Sequence, residues 1–395
     1  DTPLRDGAQA PGIRLTPEAM VQFARALADA GVHSIDCGFA SASVAEFEGM
    51  RRIAQTVKGP ILSGLSRCRN DDIDRTYEAL HGVSPLKRAI SLFIGVSPLH
   101  REHRHRMTKS QVIDTVVRAV DYAHTKFEII TFGPEDASRT EPQFLHEIMQ
   151  KAIEAGAVSL GFADTVGLLT PRKAADAIKG IQDNVRSMDD AMLAVHFHND
   201  LGLATANSLA AVEAGANIVQ GTINGIGERA GNAALEEVVL ALELHKDQFK
   251  LGHGMDTTKL SALSALVAEH TRFRISDNKA VVGRNLFRTE AGVHQDGILK
   301  HCDTYVPFAP ELIGADPVAL VLGPSSGKNA VRHHLQSNGV EASEEHVQIV
   351  LNYIKNGTHD VSDMPEIEGF LERLRPHMSE ELPIESNGTA IHPAH

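Results

Sequence analysis

Cysteine is scarce in this chain of 395 residues: Cys37, Cys68 and Cys302 are the only three, and none sits in a Cys-x-x-Cys pair. An odd, sparse count provides no disulfide framework and fits a reducing, cytoplasmic setting. Excess positive charge is missing too. The formal net charge of −13 argues against a nucleic-acid partner, which would require a basic face. No apolar run approaches the roughly 18 residues of a membrane helix, so no membrane partner is expected. No secretory signal opens the chain, although it begins at Asp1 rather than at methionine. A Gly-rich dinucleotide turn after an early strand is also absent, which weakens the case for an open nucleotide-binding sheet.

Short apolar runs are present, alternating with helical stretches about every 30 residues. They are "SIDCGFA" (34–40), "PILSGLS" (60–66), "AISLFIGVS" (89–97), "FEIITFGP" (127–134), "VSLGFADTVG" (158–167), "LAVHFHND" (193–200) and "IVQGTINGIG" (218–227). Between them, "TPEAMVQFARALADAG" (16–31) offers Thr16 as N-cap, Pro17 for the first turn and Gly31 for the exit, and "TPRKAADAIKGIQ" (170–182) repeats the Thr-Pro start. Buried strands alternating with helices imply a parallel sheet. "DTPLRDG" (1–7) resembles the exposed end of an eighth strand, and eight βα units close into a TIM barrel.

The expected class is therefore α/β: a (β/α)8 barrel over residues 1–255 and a small, mainly helical C-terminal region. A linker and irregular arm cover 256–330, including a helix over 257–273 and a glycine-punctuated stretch over 278–301. A helical subdomain covers 331–383, with helices over 343–357 and 365–378, and a disordered tail covers 384–395.

Barrel chemistry sits at the C-terminal ends of strands. The polar residues there are Arg5, Asp6, Asp36, Ser66, Arg67, Ser97, His100, Glu135, Asp164, Thr165, His196, His198, Asn224 and Glu228. Residues two apart on a strand share a face, so His196 and His198 point together. Barrel closure brings Asp6 opposite them, and "GERAGNAAL" (227–235) adds Asn232 as an oxygen donor. This mixed N/O set suits Mg²⁺, Mn²⁺, Co²⁺ or Zn²⁺ and has no thiolate to make it a closed structural zinc site.

Eight collinear stretches across residues 1–330 carry a resemblance. They are "DTPLRDGAQAPG", "SPLH" (97–100), "FGPEDASR" (132–139), "ADTVG" (163–167), "VHFHNDLGLATANSLAAVEAGA" (195–216), "NGIGERAGNAALEEV" (224–238), "NKAVVG" (278–283) and "GVHQDGILK" (292–300). The chain resembles the 2-isopropylmalate synthase and homocitrate synthase family of metal-dependent condensing enzymes. That likeness implies an acyltransferase joining acetyl-CoA to a 2-oxo acid, with Asp6, His196, His198 and Asn232 at the metal and Arg5 stabilising the developing alkoxide. It places Thr165 on the oxo-acid carboxylate, His100 and Glu135 along the oxo-acid pocket, and His294 and Tyr305 at the acid/base step. Asp36 and Arg67, at neighbouring strand ends, complete the expected substrate-binding set. The His294 arm would reach a partner's barrel, implying a homodimer.

Departures from the pattern are Ala8, where a polar residue is usual, Asp36 in place of glutamate, and "SSGKNA" (325–330) in place of His-Ser-Gly-Arg. They leave the oxo acid unnamed: homocitrate, citramalate or phosphonomethylmalate specificity are alternatives. Arg69 and the run His103, Arg104, His105 and Arg106 raise the option of a substrate with an extra negative group. A hydroxyacyl-CoA lyase and a non-catalytic paralogue remain as other classes. The leucine-binding extension of long family members is not seen, so leucine feedback is not expected.

Overall fold

The computed structural model describes residues 1–340 and 342–356. They fall into two compact units, Asp1–Ile275 and a second beginning at Ser276.

The first unit holds seven parallel strands in sequential order: β1 (Ser34–Asp36), β2 (Ile61–Arg67), β3 (Arg88–Gly95), β4 (Ile129–Glu135), β5 (Ser159–Asp164), β6 (Met192–Phe197) and β7 (Ile218–Gln220). Each falls, to within one residue, on one of the seven runs picked out by their apolar pattern. Helices α1 (Pro17–Asp29), α2 (Val44–Thr56), α3 (Asn70–Ala79), α4 (Lys109–His124), α5 (Pro142–Glu154), α6 (Pro171–Asn184), α7 (Ala204–Glu213) and α8 (Leu235–Leu244) alternate with them. A single turn, α9 (Lys246–Phe249), and the longer α10 (Leu260–Thr271) follow. Together these elements form a TIM barrel.

The backbone of Asp1 and Thr2 occupies the place of the eighth strand, and residues 3–6 turn away from it. Thr2 N donates to Gly221 O beyond β7 (2.9 Å), and Asp36 N of β1 donates to Asp1 O (3.0 Å). The proline at position 3 can give no ladder hydrogen, which favours stopping the strand there. Asp1 and Thr2 thus lie in the seam between β7 and β1, and Asp6 sits just past them.

Alternation sets what each strand does. Ile35, Leu62, Ile90, Leu92, Ile130, Phe132, Leu160, Phe162, Leu193, Val195 and Phe197 face outward and are buried under the helices. Fully burying one such side chain contributes about 1.5–3 kcal/mol, so this layer carries most of the stability. The inward positions are left for chemistry. Helix starts follow local rules: Thr16 accepts from Ala19 N, Ser43 from Glu46 N, and Thr108 forms a capping box with Gln111. Thr170, in the second Thr-Pro pair, makes no such side-chain cap.

The first unit continues past residue 255. The α10 helix packs on α1, and buried Ser264 donates its hydroxyl to Asn224 Oδ1 at 2.6 Å while its carbonyl accepts from Asn224 Nδ2 at 2.9 Å. In the second unit, β8 (Arg288–Thr289) pairs in parallel with β9 (Ala319–Leu320), alongside α11 (Gly292–Lys300), α12 (Lys328–Ser337) and α13 (Glu344–Asn356). Leu322, Val331, Leu335, Val347 and Ile354 build its own small core. The stretch expected to be irregular thus contains a strand and a helix. The expected helix over 365–378 and the tail over 384–395 lie outside the described residues. Among the described residues, no helix is long and apolar enough to cross a membrane.

Candidate metal centre

His196 belongs to β6 and His198 follows it, so the pleat sends both imidazoles to the barrel interior. Their Nε2 atoms stand 3.3 Å apart, and His196 Nε2 is 3.3 Å from Asp6 Oδ2. Asp6, His196 and His198 form the cluster of possible metal donors found among the described residues, with ligand atoms within 4.8 Å of one another. Asn232 joins them through the loop after β7. Its backbone bridges to His198, and its Nδ2 donates to Asp6 Oδ1 at 2.8 Å and to Ile226 O at 3.0 Å.

Three buried polar atoms in this group have no partner: His196 Nδ1, His198 Nδ1 and Asn232 Oδ1. Unpaired buried polar atoms are costly, and two facing imidazole nitrogens can share at most one proton. Burial, followed by the charge of His196, lowers the His198 pKa to about 4, which keeps its ring a neutral donor. Burial opposes ionisation of Asp6, yet Arg5 together with the two histidines outweighs it and holds the carboxyl well below its usual range. A carboxylate and neutral imidazoles are the protonation states a divalent cation requires. The donor set fits such an ion.

Arg5 is the charge that balances the cluster. It donates from Nη1 to Asp6 Oδ2 (2.7 Å) and from Nε to Asp36 Oδ2 (2.8 Å). Burial works against its charge, but Asp36 and Asp6 prevail and raise its pKa above the ordinary value. Asp36 is therefore the anchor that aims Arg5, a role its place at a strand end did not disclose.

A second polar group lies at the ends of β3 to β5. Arg104 grips both oxygens of Glu135 at 2.7 and 2.6 Å, and His100 stands 3.9 Å from both Glu135 and the buried Asp136. His100 begins a π-helical turn, His100–His105, pinned by buried Arg101 through two bonds to Glu141. Thr165 Oγ1 accepts from Asp136 N at 2.9 Å, so its hydroxyl hydrogen remains able to donate elsewhere. Arg67 is turned to Asp72 of α3 (3.0 Å) and lies over the Phe39 ring, which commits its guanidinium to the start of that helix. Arg104, seen in the sequence as a charge for an incoming anion, is spent on Glu135.

One linkage left no clear trace in the sequence. Arg229, three residues before Asn232, donates to both oxygens of Asp200 (2.9 and 3.0 Å) and to Thr165 O (2.6 Å). It ties together the loops after β5, β6 and β7. Gly167 shows how closely the first two approach: a Cβ there would lie 2.5 Å from Asp200 Oδ2 and 2.8 Å from His198 O, at φ +61°. Gly167→Ala is expected to push the loops apart, lowering stability by roughly 1–3 kcal/mol and weakening Mn²⁺ binding, as read by thermal melting and calorimetry.

His294 and Tyr305 lie in the second unit. His294 is exposed on α11, in a helix within the glycine-punctuated stretch expected to be irregular. Its ring stacks on Tyr305 with centroids 4.1 Å apart, and Gly297 packs against the same tyrosine.

Residues 1–267 match the family described as HMGL-like, and residues 281–361 match Homocitrate synthase post-HMGL domain-like. The chain belongs to the HMGL-like family. It is 43% identical over 355 residues to a 2-isopropylmalate synthase of Shouchella clausii, covering 90% of this chain and 68% of that one. A 2-isopropylmalate synthase of Halalkalibacterium halodurans is 41% identical over 370 residues, covering 94% and 72%. Among solved structures, an HMG-CoA lyase of Pseudomonas aeruginosa superposes with a TM-score of 0.61 at 17% identity, covering 71% of this chain and 94% of that one. At that identity the likeness shows the barrel fold and nothing finer.

Proposed function

We propose that the chain is an acyltransferase that condenses acetyl-CoA with a 2-oxo acid and hydrolyses the thioester, giving a 2-alkylmalate-type product and free CoA. The observation that carries this reading is the convergence of Asp6, His196 and His198 beside a partly buried, cationic Arg5, in a chain 43% identical to a 2-isopropylmalate synthase.

Asp6, His196, His198 and Asn232 would hold Mg²⁺, Mn²⁺, Co²⁺ or Zn²⁺, which when bound supplies Lewis-acid polarisation of the keto group. Arg5 presents a fixed positive charge where negative charge develops on the keto oxygen. Thr165, its oxygen already bonded to Asp136 N, gives its hydroxyl hydrogen to the oxo-acid carboxylate. His100 and Glu135 line the oxo-acid pocket, with Glu135 held in place by Arg104. A proton leaves the acetyl methyl, that carbon bonds to the keto carbon, and water then splits the thioester to release the thiol. His294 carries protons in these steps, with Tyr305 stacked beside it, and we assign both to an arm acting on the barrel of a second copy in a homodimer.

Thiol release from acetyl-CoA across a panel of 2-oxo acids, with and without chelator, tests this. Release should require both an oxo acid and the metal. Cleavage of a 3-hydroxyacyl-CoA without thiol release would instead support a lyase. Metal binding with neither reaction would indicate a chain that has lost turnover.

A further inference from the structure

Parallel register fixes which side chains meet inside the barrel. Ala163 pairs with His196, Gly161 with Ala194, and Ser159 with both Met192 and Thr131. Paired residues share a face, so three interior levels descend from the donor cluster. The top level holds Glu135, Ala163 and His196. The next holds Phe93, Gly133, Gly161, Ala194 and Ile218, and the one below holds Leu65, Ser91, Thr131 and Ser159.

The middle level is unusual for such a barrel, whose interior is ordinarily filled by bulky branched residues. Glycine in a strand interior costs stability and often marks a place where a ligand approaches. Here two glycines and an alanine sit side by side on β4, β5 and β6. A Cβ on Gly133 would meet nothing nearer than Leu92 O at 3.9 Å, so open room is left there, whereas one on Gly161 would lie 3.2 Å from Gly133 Cα and marks close approach of the two strands. A second observation lies beneath. Ser159 is 5% exposed, faces the same interior as Gly161, and its Oγ has no hydrogen-bond partner. A buried hydroxyl without a partner is costly unless something else bonds to it.

We propose that this shaft takes the side chain of the 2-oxo acid, and that this side chain is uncharged, long and flat and ends in a hydrogen-bonding group. This rests on the condensation reading above and adds the substrate class to it. Four residues separate Ala163 from Ser159, roughly 13 Å along the strand and about 10 Å along a barrel axis to which strands tilt by some 36°. An isopropyl side chain extends only about 2.5 Å from the keto carbon, whereas a hydroxyphenylmethyl group extends about 7 Å, leaving one hydrogen-bond length to the hydroxyl level. Phe93, Ile218 and Leu65 supply apolar wall. No Lys or Arg stands at the hydroxyl level, and Arg67 one level higher is already paired with Asp72. A second carboxylate on the substrate would therefore be buried there without a counter-charge.

The test compares 4-hydroxyphenylpyruvate, phenylpyruvate, 2-oxoisovalerate and 2-oxoglutarate as probes. Each is assayed by thiol release and by calorimetric binding to the Mn²⁺-loaded protein, in the wild type, Gly133→Val and Ser159→Ala. The hydroxyaryl acid should exceed 2-oxoisovalerate in kcat/KM by tenfold or more. Gly133→Val, for which the structure has space, should reverse that ratio by at least tenfold. Ser159→Ala should narrow the preference for 4-hydroxyphenylpyruvate over phenylpyruvate. A wild type that prefers 2-oxoisovalerate or 2-oxoglutarate, or a Gly133→Val variant with an unchanged ratio, overturns the shaft while leaving condensation intact. Aryl-acid binding that is lost in Gly133→Val, without thiol release from any acid, supports the shaft and sinks condensation instead. No binding of either aryl acid overturns the shaft as well.

Discussion

Replacing His196 by alanine is expected to abolish condensation. The variant loses one of the two facing imidazole nitrogens, and Asp6 loses its 3.3 Å neighbour. One remaining histidine and a carboxylate hold a divalent ion far less well, since even partners outside the ligand set are worth about 10–100-fold in affinity. A drop in kcat/KM of about a thousandfold or more follows, equal to about 4 kcal/mol of transition-state stabilisation. The fold should survive, because the outward neighbours Val195 and Phe197 anchor the strand and are fully buried. Mn²⁺ titration calorimetry and the thiol assay are read together. Wild-type turnover in this variant would remove the ion from the proposed mechanism.

His294→Ala should produce an equally inactive protein for a different reason. It belongs to the second unit and stacks on Tyr305, so its loss should leave Mn²⁺ and oxo-acid binding near wild type while turnover falls by about a hundredfold to ten-thousandfold, the usual range for a general acid or base. Mixing the two inactive variants tests the arm. If each arm serves the partner's barrel, a mixed dimer keeps one complete site, and random pairing should restore about a quarter of wild-type activity. An arm serving its own barrel restores none. Loss of metal binding in His294→Ala would show that its assignment to the acid/base step is wrong.

Much of the barrel could be read from the chain because most strands are buried apolar runs and several helices carry their own start signal, such as Thr16, Ser43 and Thr108. The His-x-His spacing was equally legible, since two residues on a strand share a face whatever surrounds them. What pairing decides was not. Asp36 was read as a substrate contact, but its carboxylate is taken by Arg5, 31 positions earlier in the chain. Arg67 and Arg104 looked free and are each held by an acid. Arg229 gave no sign that it spans three loops. "DTPLRDG" reads as the exposed end of a strand, and Asp1 and Thr2 do bond to the neighbours on both sides. His294 lies in a stretch read as irregular because glycines punctuate it, and the helix there is fixed instead by contacts such as buried Gln295 donating to Thr289 O and Val321 O. Long-range partners of this kind have no local signature.

The placing of Asp6 beside the seam between β7 and β1 would give an ion a mechanical role. Asp6 comes from the segment beside that seam, while His196 comes from β6 and His198 from just past its end, on the far side of β7. An ion shared between them would rivet the segment carrying Asp6 to the far wall, so that filling the site and stiffening the cylinder become one event.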